Sequence, residues 1–85
     1  MSAPRLKPGV KLRDDPVRGT ILLAPERFLS LDETAYAIVQ RIDGRRNADA
    51  IAEELAQEFN ADPADILADI EDLLNQLSAQ GYIAR

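Results

Sequence analysis

The 85-residue sequence contains no cysteine, no histidine and no tryptophan, and aromatic residues make up only 5% of it. Without cysteine, neither a disulfide framework nor thiolate metal ligation can support the fold. Without histidine the chain lacks the side chain most used for proton transfer near neutral pH. No familiar nucleophile–base pair and no zinc site can be assembled from what remains. Lysine, tyrosine or carboxylate chemistry is not excluded by composition, but the residues point away from an enzyme: no catalytic residue, metal or cofactor is expected. Long apolar runs are missing too. The longest, Ile21 to Pro25, is about five residues, far short of the roughly 20 of a membrane span. No stretch has the basic, apolar, small-residue order of a signal peptide. The expectation is a soluble cytoplasmic protein with no membrane association.

A further absence is of one sign of charge. No lysine or arginine occurs between Asn47 and Ala84. Residues 1–31 carry six bases (Arg5, Lys7, Lys11, Arg13, Arg18, Arg27) against three acids, a net of +3. Residues 32–85 carry four bases against twelve acids, a net of −8, so the overall −5 hides a strong asymmetry.

Length suits one domain with a thin core. Residues 1–9, MSAPRLKPG, hold two prolines and a glycine without periodicity and predict a flexible or loosely docked arm. Residues 10–85 predict a single domain, with strands over about 10–31 and helices over about 32–80. "VKLRDD" alternates apolar and polar residues as a half-buried strand does. "PVRG" is turn chemistry, "TILLA" a covered strand that Pro25 ends, and "RFLSL" a third strand, together an antiparallel meander. Helix one is predicted from about Asp32 to Asp43, with Ser30 and Glu33 spaced as a capping box, Asp32 as the alternative cap, and Gly44 as its stop. Helix two runs over about 48–59 behind Asn47. Helix three starts at Asp62-Pro63 and runs to about Gln80, with Gly81 as its stop. The class is α+β and winged-helix-like: three strands, then three helices.

Helix three has more apolar surface than one seam needs. Ile66, Ile70, Leu73 and Leu77 form a core stripe, and Leu67 and Leu74 widen it. Either the wide stripe packs against both other helices and the sheet, or Leu67 and Leu74 line a groove open to a partner.

Three readings of function follow. Winged helices suggest DNA binding, yet Asp62, Asp65, Asp69, Glu71 and Asp72 on helix three would meet phosphates with no base among them. A carrier protein would tether phosphopantetheine to a helix-opening serine, but Ser30-Leu31-Asp32 reverses the usual Asp-Ser-Leu order, and Ser30 suits a helix cap better. The third reading is a peptide-binding module. "RFLSL" should be a sheet edge, whose unpaired backbone accepts an added strand. Four added backbone hydrogen bonds contribute only about 2–6 kcal/mol, against about 1–2 kcal/mol per residue for ordering the peptide. Apolar anchors are therefore required as well, and a groove between the third strand and Leu67, Ile70 and Leu74 could supply them. The acid rim would favour Lys or Arg on the peptide.

The stretches "PGVKLRDDPVRG", "LLAPER" and "IDG", in that order within a likeness running from about Leu6 to Ile83, resemble the PqqD family of pyrroloquinoline quinone (PQQ) biosynthesis, a family of RiPP recognition elements. The resemblance implies a non-catalytic peptide chaperone. Such a protein binds the precursor peptide PqqA as an added strand and presents it to PqqE, a radical S-adenosylmethionine enzyme. The implied peptide-binding residues are Arg27, Phe28, Leu29, Ser30 and Leu31 on the third strand, with Leu67, Ile70, Glu71 and Leu74 on helix three. The basic N-terminal arm is a candidate surface for the enzyme. The alternative is a structural subunit that dimerises through the same open edge, or by hairpin exchange about Gly19 or Gly44, without a peptide client.

Overall fold

Two tight turns generate the sheet. After β2 (Lys11–Asp15), the Asp15 carboxylate accepts from the backbone N–H of Val17 at 2.8 Å and of Arg18 at 2.9 Å. Gly19 then takes a φ of +78°, which starts β3 (Gly19–Ala24). Pro25 and Glu26 turn the chain again into β4 (Arg27–Ser30), with Glu26 itself at a φ of +66°. The order is β2-β3-β4, antiparallel throughout, with Leu12 opposite Leu22 and Leu22 opposite Leu29 on one face.

The computed structural model describes residues 3–85, and the expected three helices follow the sheet. α1 (Glu33–Val39) is capped by Asp32, whose Oδ1 accepts from Ala35 N–H at 2.7 Å. Ser30 is a strand residue, so the Ser30–Glu33 capping box does not form, and the alternative cap is the one used. α1 also stops short of Asp43. Its last turn tightens, with Arg41 N–H bonding Ile38 O at 3.0 Å and Ile42 N–H bonding Val39 O at 3.1 Å. This keeps Ile42 buried and sends Arg41 to Glu54 and Glu58 of α2 (Ala48–Phe59), tying the two helices together. α2 begins at Asn47, whose Oδ1 accepts from Ala50 N–H at 2.8 Å. α3 (Pro63–Ala79) begins at Asp62, with Pro63 in its first turn.

The core is built on α3. Ile70, Leu74 and Leu77 are each 0% exposed and pack with Leu22 of β3, Ile38 of α1, and Ile51 and Leu55 of α2. Beyond α3 the chain does what the sequence pattern did not announce. Tyr82 and Ile83 are buried, and β5 (Ile83–Ala84) pairs antiparallel with β1 (Arg5–Leu6). Lys7 N–H bonds Tyr82 O at 3.0 Å, and Gly44 N–H bonds Pro4 O at 2.9 Å. The expected flexible arm over 1–9 is therefore corrected for residues 4–7: this stretch is hydrogen-bonded at both ends, because Leu6 has a core to pack on and the C-terminus supplies a strand. Met1 and Ser2 of that arm lie outside the described residues.

Removal of residues 1–7 should therefore lower stability on the order of 3 kcal/mol, from lost Leu6 packing and about three backbone hydrogen bonds. Urea unfolding of the truncated and full chains measures it. A change under 0.5 kcal/mol (roughly the level of a neutral surface change) would restore the loose-arm reading. A second expectation concerns acid. The backbone N–H groups of Arg18 and Val17 hold the Asp15 carboxyl below the ordinary value of 3.8, and those of Arg46 and Arg45 do the same for Asp43. With the folded values depressed, their stabilisation is complete above the ordinary value and is lost as pH falls through the folded ones. Side-chain carboxyl NMR titration should give both midpoints below 3.8.

Candidate functional site

β4 pairs with β3 and with no other strand among the described residues. Its register decides which backbone groups are left over. Leu31 N–H bonds Thr20 O at 2.9 Å, so Leu31, Leu29 and Arg27 are the residues that bond toward β3. Phe28 and Ser30 alternate with them, and their N–H and C=O groups face outward. Four backbone groups, two donors and two acceptors, thus line an open edge.

The side chains of β4 divide between two faces. Leu29 is half-buried and packs on the core, as does Leu31 just beyond the strand. Arg27 lies on the Leu29 side, its guanidinium 4.5 Å from the centre of the Tyr82 ring. Phe28 and Ser30 point to the other face, where Arg18 stacks on Phe28 at 4.7 Å and Phe28 stays 46% exposed.

α3 runs opposite β4 without packing closely on it; its close neighbours are α2 and β5. A cleft results. Past the C-terminal end of β4 lies a depression of about 300 Å³ between α1 and α3, lined by Asp32, Thr34, Ala35, Ile38, Asp69 and Leu73. At the other end Arg27 reaches the segment that follows α3, where a Cβ on Gly81 would lie 3.2 Å from Arg27 Nη2. Helical spacing places Asp69, Leu73, Gln76 and Gln80 along the rim that joins these two ends.

Arg27 through Ser30 form the strand that the sequence indicated, with Leu31 just beyond it, but burial corrects the helix-three residues. Ile70 and Leu74 are 0% exposed, so neither can touch a ligand; both sit at the centre of the apolar arc, under the sheet and α2. Leu67 is half-buried against the core, and Glu71 bonds Arg85 at 3.0 Å on the rim away from the cleft. Leu73, which the periodicity assigned to the core stripe, is half-buried, packs against the core and also lines the depression with Asp69. Its place could not be read from the wheel, because the arc of α3 is symmetric about Ile70 and offers two equivalent rims. Asp32, Thr34 and Ile38 were likewise missed, since only the fold carries α1 to α3. Among the described residues, no helix is long and apolar enough to cross a membrane.

Comparison with known proteins shows the family and the fold. The family described as coenzyme PQQ synthesis protein D (PqqD) matches residues 19–83. A PqqA binding protein of Rhizobium meliloti (strain 1021) is 46% identical over 80 residues, covering 93% of this chain and 82% of its own. The PqqA binding protein of Xanthomonas oryzae pv. oryzae (strain KACC10331 / KXO85) is 52% identical over 73 residues, covering 85% and 79%. Among solved structures, the PqqD truncation of Methylobacterium extorquens PqqCD, a stand-alone RiPP recognition element, superposes with a TM-score of 0.84 at 46% identity, over 96% of this chain and 88% of that one. Lasso peptide synthetase B1, solved with its leader peptide, superposes with a TM-score of 0.81 at 26% identity, over 96% and 98%. A winged-helix-like α+β chain whose third strand is left open in this way is matched over most of its length, and it belongs to the PqqD family.

Proposed function

We propose that this chain is a non-catalytic chaperone for the precursor peptide PqqA, which it binds as a fourth strand beside β4. The observation that carries the reading is the four outward backbone groups of Phe28 and Ser30 beside a cleft with an apolar wall. An added strand satisfies those groups, for about 2–6 kcal/mol in all. Ordering the peptide costs a comparable amount, so micromolar affinity rests on apolar side chains entering the cleft at about 1.5–3 kcal/mol each. Leu29, Leu31 and Leu73, each half-buried, are the apolar side chains available to them. Two relatives are named for binding PqqA, and the lasso synthetase B1 structure holds a leader peptide, which supports peptide binding by this chain. In PQQ synthesis the bound peptide is then presented to PqqE, the radical S-adenosylmethionine enzyme.

Titrating ¹⁵N-labelled protein with PqqA should move the amides of Phe28 and Ser30 most, with Asp69 and Leu73 following and the α2 surface quiet. Shifts confined to α2, or none at saturating peptide, reject the reading. Two leucines adjacent on α3 should separate binding from folding. Leu73→Asp should weaken PqqA binding at least about tenfold, the loss of one good anchor, while far-UV helicity stays near wild type. Leu74→Ala should cost about 2–5 kcal/mol of stability, read by urea denaturation. Equal stability losses at both sites would place Leu73 in the core.

A further inference from the structure

The two ends of the cleft carry opposite charge, and the cationic end is built rather than merely exposed. Arg27 makes no ion pair among the described residues, unlike Arg18, Arg41, Arg46 and Arg85. Arg5, Arg13 and Arg45 are also without one, and Arg13 lines with Arg27 a hollow on the Phe28 side of the sheet, but Arg27 alone among these also reaches Tyr82 and Gly81 at the end of α3. Its guanidinium carbon lies 4.5 Å from the centre of the Tyr82 ring, which is only 3% exposed. It also approaches the backbone at Gly81, a residue at a φ of +81° where a Cβ would crowd Nη2 at 3.2 Å. The ring contact restrains the guanidinium and leaves its N–H donors without a carboxylate among the described residues. At the far end, Asp69 shares the depression with Asp32, and neither forms an ion pair among the described residues.

We infer that Arg27 is a carboxylate clamp that sets the direction and register of the incoming strand. The inference rests on strand addition at β4 and adds the chemistry of its client. The sheet is antiparallel throughout, and an added strand that continues the pattern meets Arg27 with its C-terminal portion and Asp32 and Asp69 with its N-terminal portion. From Arg27 to Asp32 is about five residues, or roughly 16 Å of strand. The segment that fits has a Lys or Arg, then about four residues whose alternate side chains are apolar and face α3, then an Asp or Glu held by the Arg27 fork. A strand slipped by two residues, or reversed, loses both charge pairs at once.

The test uses full-length protein and fluorescently labelled PqqA, read by anisotropy at low and high salt. Each Asp and Glu of PqqA is replaced in turn by Asn or Gln, and Arg27 by Gln. Arg27→Gln should weaken binding about tenfold, as expected for one lost charge-assisted bond. A single peptide carboxylate, about five residues C-terminal to a Lys or Arg, should give the same loss and no further loss when combined with Arg27→Gln. Arg27→Glu should be rescued by Lys at that peptide position, which a purely structural role for the Arg27–Tyr82 stack would not produce. If Arg27→Gln binds like wild type while wild type still shifts the Phe28 and Ser30 amides, the clamp is overturned and strand addition stands. If Arg27→Gln weakens every peptide equally with no single carboxylate coupled to it, the clamp is also overturned. If wild type shows no β4 shifts with PqqA, both ideas fail together.

Discussion

Burial of one apolar arc on α3 is the constraint on which everything else rests. Ile70, Leu74 and Leu77 are fully enclosed, and each other element is arranged to cover them: β3 from above, α2 alongside, and Tyr82 and Ile83 at the end. A chain of 85 residues has little core to spare. The ends of the chain are therefore recruited, with β1 and β5 closing a two-stranded ribbon over the base of the core. Ion pairs from Arg41 to Glu54 and Glu58 tie the end of α1 to α2 at the surface.

The open edge is a consequence of that arrangement. α3 is held by α2 and β5, so it lies across from β4 without closing on it. β4 is four residues long and joins α1 directly through the Asp32 cap, which leaves no loop to fold back over its outer side. Short strands ordinarily blunt an edge. Here the same shortness leaves four oriented backbone groups beside a cleft with an acidic end, a basic end and an apolar wall. The acidity of α3, which makes approach to phosphate unfavourable, supplies one of those ends.

Much of the fold was legible because its signals are local. Asn47, Asp62-Pro63, Asp15 with Gly19, and Pro25 each act on their own neighbours within a few residues, and the helix and strand boundaries they imply are close to those found. Less was legible where a choice between equivalent partners was needed. Ser30 and Asp32 are both sound caps, and the sheet took Ser30. Residues 4–7 have no periodicity, yet a two-residue strand forms because a partner arrives from the other end of the chain.

The same division runs through the site. Sequence alone settled that the third strand is short, β-prone and followed at once by a capped helix, and that the helical half is acidic and free of histidine and cysteine, because these are properties of composition and near neighbours. It could not settle which rim of α3 faces that strand. The arc of six apolar residues is symmetric about Ile70, so Leu67 with Glu71 and Leu73 with Asp69 are equal candidates on a helical wheel. Tertiary structure broke the tie: α2 and Arg85 occupy one side, and the β4–α1 junction opens toward the other. Arg27 and Tyr82, 55 positions apart, likewise meet only because the chain after α3 turns back under β4, and no local propensity encodes a contact at that separation.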